Sequence, residues 1–410
     1  MYRLYFAASI AAVALSLSEA STAQGKNLLF YGNSYSLRNG TVANMVQLIA
    51  IQSGRPTPTI VKRFAGGQDL DYHANNPGQV AAISNALPNN QDWDFVVMQG
   101  QSTEATQALG DPADFRANAA AIMGNVRNHS PSVKAVLYQT WARALTHHYY
   151  PNTFANPTSM HQEIRDNYQL ASNDINAQFG AESARQSAVG DGVALLEWQP
   201  TFYEPDLFHP RPSMTLLAGM CLYTSIYEER ICDITINFNQ GGLLVNWLNG
   251  LGLSQNDWHA MASIADRCAA PHLRPHPGSG DFLLLESGTL PGRINTCSSV
   301  PISVGSLLVL RLSSLNGAYD ASPGLMLMNL FPNGTLPTPS LAWPELLIDT
   351  GSMLILASSN QLSNPLNVVT SVPLSFPGAS ILLQGFAWGA SPETGNTNFT
   401  TTDAHELVFQ

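Results

Sequence analysis

The stretch Lys26-Asn27-Leu28-Leu29-Phe30-Tyr31-Gly32-Asn33-Ser34-Tyr35-Ser36 decides how this chain is read. Leu28, Leu29 and Phe30 form an apolar run of the kind that becomes a buried strand, and Gly32-Asn33 is turn-forming. The pattern predicts a strand that stops abruptly and leaves the Ser34 hydroxyl at the carboxyl edge of a sheet. Far downstream, Asp206-Leu207-Phe208-His209 supplies a carboxylate and an imidazole three residues apart. A serine alone is a weak nucleophile. A histidine base, oriented by a carboxylate, makes it an acyl-transfer group. Gly-Asn-Ser alone is an ordinary turn, and Asp-x-x-His alone could cap a helix. Ser36 is a second hydroxyl nearby. The functional expectation rests on the two distant segments meeting.

Working outward, strand-like and helix-like runs alternate. Strands are expected at residues 26–31, 59–63, 94–98, 133–139 and 193–196. Helices are expected at 41–52, 114–128, 162–179 and 213–229, the last capped by Ser213. Such alternation predicts an α/β fold with a mostly parallel sheet covered by helices on both faces. Ligands of such sheets bind beyond the carboxyl ends of the strands. Ser34 follows the first strand, Gly66-Gly67-Gln68 the second, Gln99-Gly100-Gln101-Ser102 the third and Thr140-Trp141-Ala142-Arg143 the fourth. All four segments are expected on one edge.

Gly32-Asn33-Ser34, Gly67, Gln101 and Asp206-x-x-His209 resemble, in order, the four blocks of the SGNH (GDSL-type) hydrolases. The resemblance runs over about residues 26–229. It is closest to the branch whose first block reads Gly-Asn-Ser and whose third reads Gln-x-Gln-Ser. It implies a three-layer α/β/α, flavodoxin-like domain and a serine esterase mechanism with no metal or organic cofactor. By the same resemblance Ser34 is the nucleophile, His209 the base and Asp206 its orienting carboxylate. The oxyanion donors would be the Ser34 and Gly67 N–H groups and the Gln101 side chain, with Gly66 the alternative to Gly67. Asn33 stands where the commoner pattern has aspartate, Tyr35 where it has leucine and Gln101 where it has asparagine. Tyr35, Trp141 and Phe208 are candidate substrate-binding residues, and residues 142–160 a candidate overhang. Asp206 and His209 could instead ligate a metal, but no third or fourth ligand is evident.

The remaining composition bounds the partners. Only 11% of the 410 residues are charged and the net charge is −11, which gives nucleic acid or an anionic membrane nothing to grip. Residues 1–23 read as a secretory leader: Arg3, an apolar stretch too short to span a bilayer, then small residues before Gln24. No later segment is long and apolar enough to span a membrane. Residues 24–234 are expected to form the hydrolase domain and 235–270 a helical extension. Residues 271–280 read as a linker with His272 and His276 in solvent, and 281–410 as an antiparallel β-sandwich. His147 and His148 read as a polar loop pair. Export permits disulfides among Cys221, Cys232, Cys268 and Cys297, in any of three pairings.

The expected activity is hydrolysis of a carboxylic ester, with short acyl or acetyl groups and a polysaccharide or polyester as the partner. Two competing readings are a non-catalytic secreted carbohydrate- or surface-binding protein that keeps a hydrolase fold and uses the β-module for attachment, and a lipase or thioesterase for longer acyl chains. The pattern says nothing about oligomeric state.

Overall fold

The computed structural model describes residues 24–88, 91–274, 276–281, 283–290, 294–295, 297, 299–315, 317–332, 342–372 and 378–409. The leader expected at residues 1–23 lies outside them. The chain begins with β1 (Asn27–Gly32), whose six residues are all buried. Then follow α1 (Ser34–Leu37), α2 (Val42–Gln52), β2 (Thr59–Phe64), α3 (Leu70–Asn75), α4 (Pro77–Asn85), β3 (Phe95–Met98), α5 (Pro112–His129), β4 (Lys134–Tyr138), α6 (Pro157–Phe179) and β5 (Ala184–Ser187). α7 (Val189–Leu195), α8 (Pro212–Tyr227), α9 (Leu243–Gly250) and α10 (Gln255–Arg267) complete the first part.

The five strands form one parallel sheet in the order β2-β1-β3-β4-β5. β1 is flanked on both sides, with Leu28 opposite Ile60 and Phe95. Its apolar run is therefore buried on both faces, at about 1.5–3 kcal/mol per large side chain. From β1 the chain moves one way to β2 and then the other way to β3. Right-handed crossovers put α2 on one face and the helices after β2 on the other. The reversal between β1 and β3 makes a switch point, with Ser34 and Gln101 on its two sides.

Two local expectations are corrected. Residues 193–196 are not the fifth strand. They fall at the end of α7, and the strand is Ala184–Ser187. A short apolar run suits a buried helix as well as a strand, and the true strand is polar because it lies at the sheet edge. Ser213 is not the cap of α8, which starts one residue earlier at Pro212 without a side-chain cap. Proline is pre-organised for the first helical position.

The helices at 235–270 share the first core. Leu244, Leu248, Trp258, Met261 and Ala265 belong to the same buried cluster as Leu28 and Val96. Beyond them lie β6 (Leu283–Leu290), β7 (Ile294–Asn295), β8 (Ser299–Ile302), β9 (Leu307–Ser314), β10 (Gly324–Pro332), β11 (Leu354–Ser359), β12 (Leu366–Ser371), β13 (Ala379–Trp388), β14 (Phe399–Thr401) and β15 (His405–Phe409). They make two sheets, β12-β9-β6-β7 and β11-β10-β13-β15-β8 with β14 on β13. All pairings are antiparallel except β15 with β8. Leu285 and Leu310 of one sheet meet Met326 and Leu383 of the other in one core, which makes the pair a sandwich.

The segment read as a linker is tied to the sandwich at Arg274 and Gly278. Asp403 is buried and accepts from Arg267 at 3.4 Å, Arg274 at 3.0 Å and the Gly278 N–H at 2.8 Å. Burial works against its ionisation, but the two guanidinium groups hold its carboxyl below the usual range. Gly278 is packed so tightly that a Cβ would sit 2.0 Å from the Thr402 carbonyl oxygen. His276 is buried beside Glu406, contrary to the expectation that it is solvated. Arg165 on α6 also reaches Glu393 at 2.6 Å.

Cys232 and Cys297 are bonded across 65 residues, while Cys221 and Cys268 are free. This pairing predicts two thiols per chain in the unfolded, unreduced protein by thiol titration; four or none would refute it. Cys232→Ser with Cys297→Ser should lower stability by about 2–4 kcal/mol, read from denaturant midpoints.

Candidate functional site

Ser34 starts α1 immediately after β1, and Asn33 caps that short helix. The Ser34 hydroxyl lies 2.9 Å from His209 Nε2. His209 Nδ1 lies 2.7 Å from Asp206 Oδ2. A hydroxyl, an imidazole and a carboxylate thus stand in one hydrogen-bonded line, across 175 residues of chain. Ser36 turns the other way: it is buried and donates to Gln99 Oε1 at 2.8 Å. Among the described residues, no group of three or more His, Cys, Asp or Glu side chains could hold a metal ion.

The loop carrying Asp206 and His209 is built to hold this line. Asp206 Oδ1 accepts the N–H groups of Phe208 at 3.1 Å and His209 at 3.0 Å, an Asx turn. Leu207 takes a positive φ of 64° inside it. Partial burial works against ionisation of Asp206. The two N–H groups and the His209 ring outweigh it and keep the carboxyl below its usual range. The loop closes on itself through Glu204 N–H to the His209 carbonyl at 2.9 Å. It is tied to the segment after β4 by Ala144 N–H to the Leu207 carbonyl at 3.0 Å and Trp141 Nε1–H to the Phe208 carbonyl at 3.2 Å.

Gly67 sits in the turn Ala65–Gln68, closed by Gln68 N–H to the Ala65 carbonyl at 3.2 Å. Its φ is +73°, which glycine supplies at the third position of such a turn without strain. A Cβ at Gly66 or Gly67 would meet nothing within 4 Å, so the space above both is open. Gln101 has its side-chain carbonyl engaged by Thr103 N–H at 2.7 Å and Thr103 Oγ1 at 2.9 Å. That fixes the amide's orientation and leaves its NH₂ with only the Ser102 hydroxyl at 3.4 Å.

Asn33 joins these pieces. Its NH₂ donates to the carbonyls of Gln68 at 3.0 Å and Gly100 at 3.1 Å. Its Oδ1 accepts from Tyr35 N–H at 3.2 Å and Gln99 Nε2 at 2.9 Å. Gln99, fully buried, accepts in return from the Asn33 N–H at 3.1 Å. An aspartate here could not donate to two carbonyls, which accounts for the amide. Glu104, also buried, receives Gln101 N–H at 2.7 Å and Leu70 N–H at 3.1 Å, binding the third segment to the start of α3. Burial pushes its carboxyl from 4.5 up to about 7, against the pull of those two N–H groups.

The aromatic residues require a correction. Tyr35 and Trp141 are stacked, with ring centroids 4.5 Å apart, and both are sealed from solvent. They form packing beneath the triad, not a wall facing substrate. Phe208 is half-buried and lies against the His209 ring at 4.2 Å. His147 and His148 do lie together in a loop, with ring centres 4.2 Å apart, but His147 is buried; burial first, then Arg143, lowers its ring pKa to about 4.

Sequence reasoning assigned no role to Asn33, Gln99, Glu104 or Arg143. Arg143 is buried, donating to the Tyr35 hydroxyl and, at 2.8 Å, to the Ser102 hydroxyl, with its guanidinium 4.7 Å from the Phe208 ring centre. Among the described residues it has no carboxylate partner. The amides at Asn33 and Gln99 were the only legible hint, since paired amides at two strand ends can bond reciprocally.

No family model matches the chain, and no curated protein matches it. Solved structures do. A Slackia heliotrinireducens protein named as an SGNH hydrolase candidate is 21% identical over 50% of this chain and all of its own, with a TM-score of 0.40. A DUF4886 family protein from Bacteroides uniformis is 15% identical over 59% of this chain and 93% of its own, with a TM-score of 0.46. A carbohydrate esterase family 3 protein from Talaromyces cellulolyticus is 9% identical over 50% of this chain and 97% of its own, with a TM-score of 0.35. These likenesses concern the fold and say nothing of activity.

Asn33→Asp removes two donations to carbonyls at about 1–3 kcal/mol for each carbonyl left bare. It should lower kcat on a small ester by one to two orders of magnitude while the chain stays folded; unchanged kcat would discount the hub. The raised Glu104 pKa has a defined sign. Its contribution to stability is full below about 4.5 and is lost as pH rises through about 7. Glu104→Gln should therefore flatten the decline of Tm across that window relative to wild type, and parallel profiles would contradict the assignment.

Proposed function

We propose that this chain is a serine esterase that hydrolyses carboxylic esters through a covalent acyl-enzyme. The observation that carries this is the continuous line from Ser34 Oγ to His209 Nε2 at 2.9 Å and from His209 Nδ1 to Asp206 at 2.7 Å. Ser34 Oγ attacks the ester carbonyl carbon as His209 takes its proton. The tetrahedral oxyanion is met by the Ser34 N–H, the Gly67 N–H and the Gln101 NH₂. Collapse breaks the bond to the alkoxy oxygen, and His209 returns the proton to the departing alcohol. Water, deprotonated by the same imidazole, then releases the acid and restores Ser34.

Site exposure supports a bulky or polymeric alcohol with a small acyl group. Asp206 is 35% exposed, His209 is at the surface edge, and the space over Gly66 and Gly67 is open. Action outside the cell is supported by the Cys232–Cys297 disulfide. No helix among the described residues is long and apolar enough to cross a membrane.

A fluorophosphonate probe should label the wild type and not Ser34→Ala. Failure to label the wild type favours the non-catalytic binding reading. Gln101→Ala should cost about 10²–10³ in kcat on a nitrophenyl acetate, the range for one oxyanion donor. In a nitrophenyl ester series, activity should peak at short acyl chains. A steady rise beyond eight carbons, at about 0.8 kcal/mol per buried methylene, would replace this reading with a lipase or thioesterase.

A further inference from the structure

We propose that the groove between Arg274 with residues 277–279 and the C-terminal sandwich is a polysaccharide-binding site, built from residues that take no part in the Ser34 site. The groove has a volume of about 690 Å³. That lies within the range of roughly 300–1,000 Å³ that holds small ligands.

Trp343 stands on its lip and is 45% exposed. Its ring meets Phe399 edge-on at 5.9 Å, Phe399 stacks on Phe386 at 4.9 Å, and Phe386 meets Trp388 at 5.0 Å. Phe386 and Phe399 are buried, while Trp388 is 52% exposed. Two solvent-facing indoles are thus anchored to one aromatic row. The pairing of Trp388 with Phe399 across β13 and β14 sets three of the rings on a single sheet face. A tryptophan held rigidly from behind and open in front offers a flat apolar surface at little entropic cost.

The rest of the groove is polar and pre-arranged. Glu345 is 8% exposed, and its Oε1 accepts from Asn396 Nδ2 at 2.7 Å. Its Oε2 has no partner among the described residues and can accept from a hydroxyl. Asn396 is locked in turn by accepting the N–H groups of Asn398 at 2.9 Å and Phe399 at 3.3 Å. Arg274 and Asn398 add donors to the lining.

This pairing of a flat apolar face with an amide and carboxylate rim selects the occupant. A pyranose ring has one apolar CH face and a rim of hydroxyls that both donate and accept. A polyester has ester oxygens but no donor, so it would cover the Glu345 carboxylate without offering it a hydrogen bond, which is costly. A nucleic acid would meet a carboxylate within a chain of net charge −11.

The full-length protein should be incubated with insoluble cellulose, chitin and xylan, and with polycaprolactone powder, and depletion from solution measured. At least one polysaccharide should retain it. Trp343→Ala should cut the retained fraction at least tenfold, and Trp343→Tyr should keep most of it. If Trp343→Ala lowers Tm, Asn398→Ala at an exposed rim position should still reduce retention about threefold. The proposal falls if no polysaccharide retains the protein, if polycaprolactone alone does, or if retention survives these substitutions with folding intact.

Discussion

One side-chain amide holds the site together. Asn33 sits between the ends of β1, β2 and β3 and bonds to the loop that follows each of them. It is buried, so each of those bonds is made where water cannot substitute, and a missing partner would leave a bare polar group. The consequence is mechanical. The Ser34 turn, the glycine turn at Gly67 and the loop of Gln101 cannot drift independently, because each is bonded to the same planar group.

The base and its carboxylate are supplied by a separate device. The loop of residues 203–210 is closed by its own backbone and tied to the segment after β4. Beneath it lies the stacked pair of Tyr35 and Trp141, which seats the His209 ring from below. Arg143 runs under the same pair and joins Tyr35 to Ser102. A cation buried without a carboxylate is costly, and here it meets hydroxyls and ring faces instead. Its place between the nucleophile's neighbour and the third segment links it to the site's shape.

Much of the fold was legible, for identifiable reasons. β1, β3 and β4 fall close to their expected places because each carries an apolar run suited to a doubly covered strand, and β2, at a sheet edge, was legible from its short β-branched run Thr59-Ile60-Val61. β5 escaped because an edge strand needs no such run, and Ala184-Arg185-Gln186-Ser187 has none. For Asn33 and Gln99 the paired amides were no more than a hint, since reciprocal amide bonding depends on two strand ends being neighbours. His276 misled for the same reason: its surroundings are polar in sequence, but its neighbours in space are residues 403–406.

What the sequence by itself determined was the set of chemical groups and their order: a serine after an apolar run, glycine and amide segments after later runs, and a closing Asp-x-x-His. Local spacing was enough for these, because strand burial and Asx turns depend on residues close in the chain. Tertiary structure alone decided which hydroxyl meets the imidazole, which cysteines join and which aromatic rings face solvent. Those outcomes depend on distances between segments up to 175 residues apart, and only the packing and pairing of the elements of the fold set such distances.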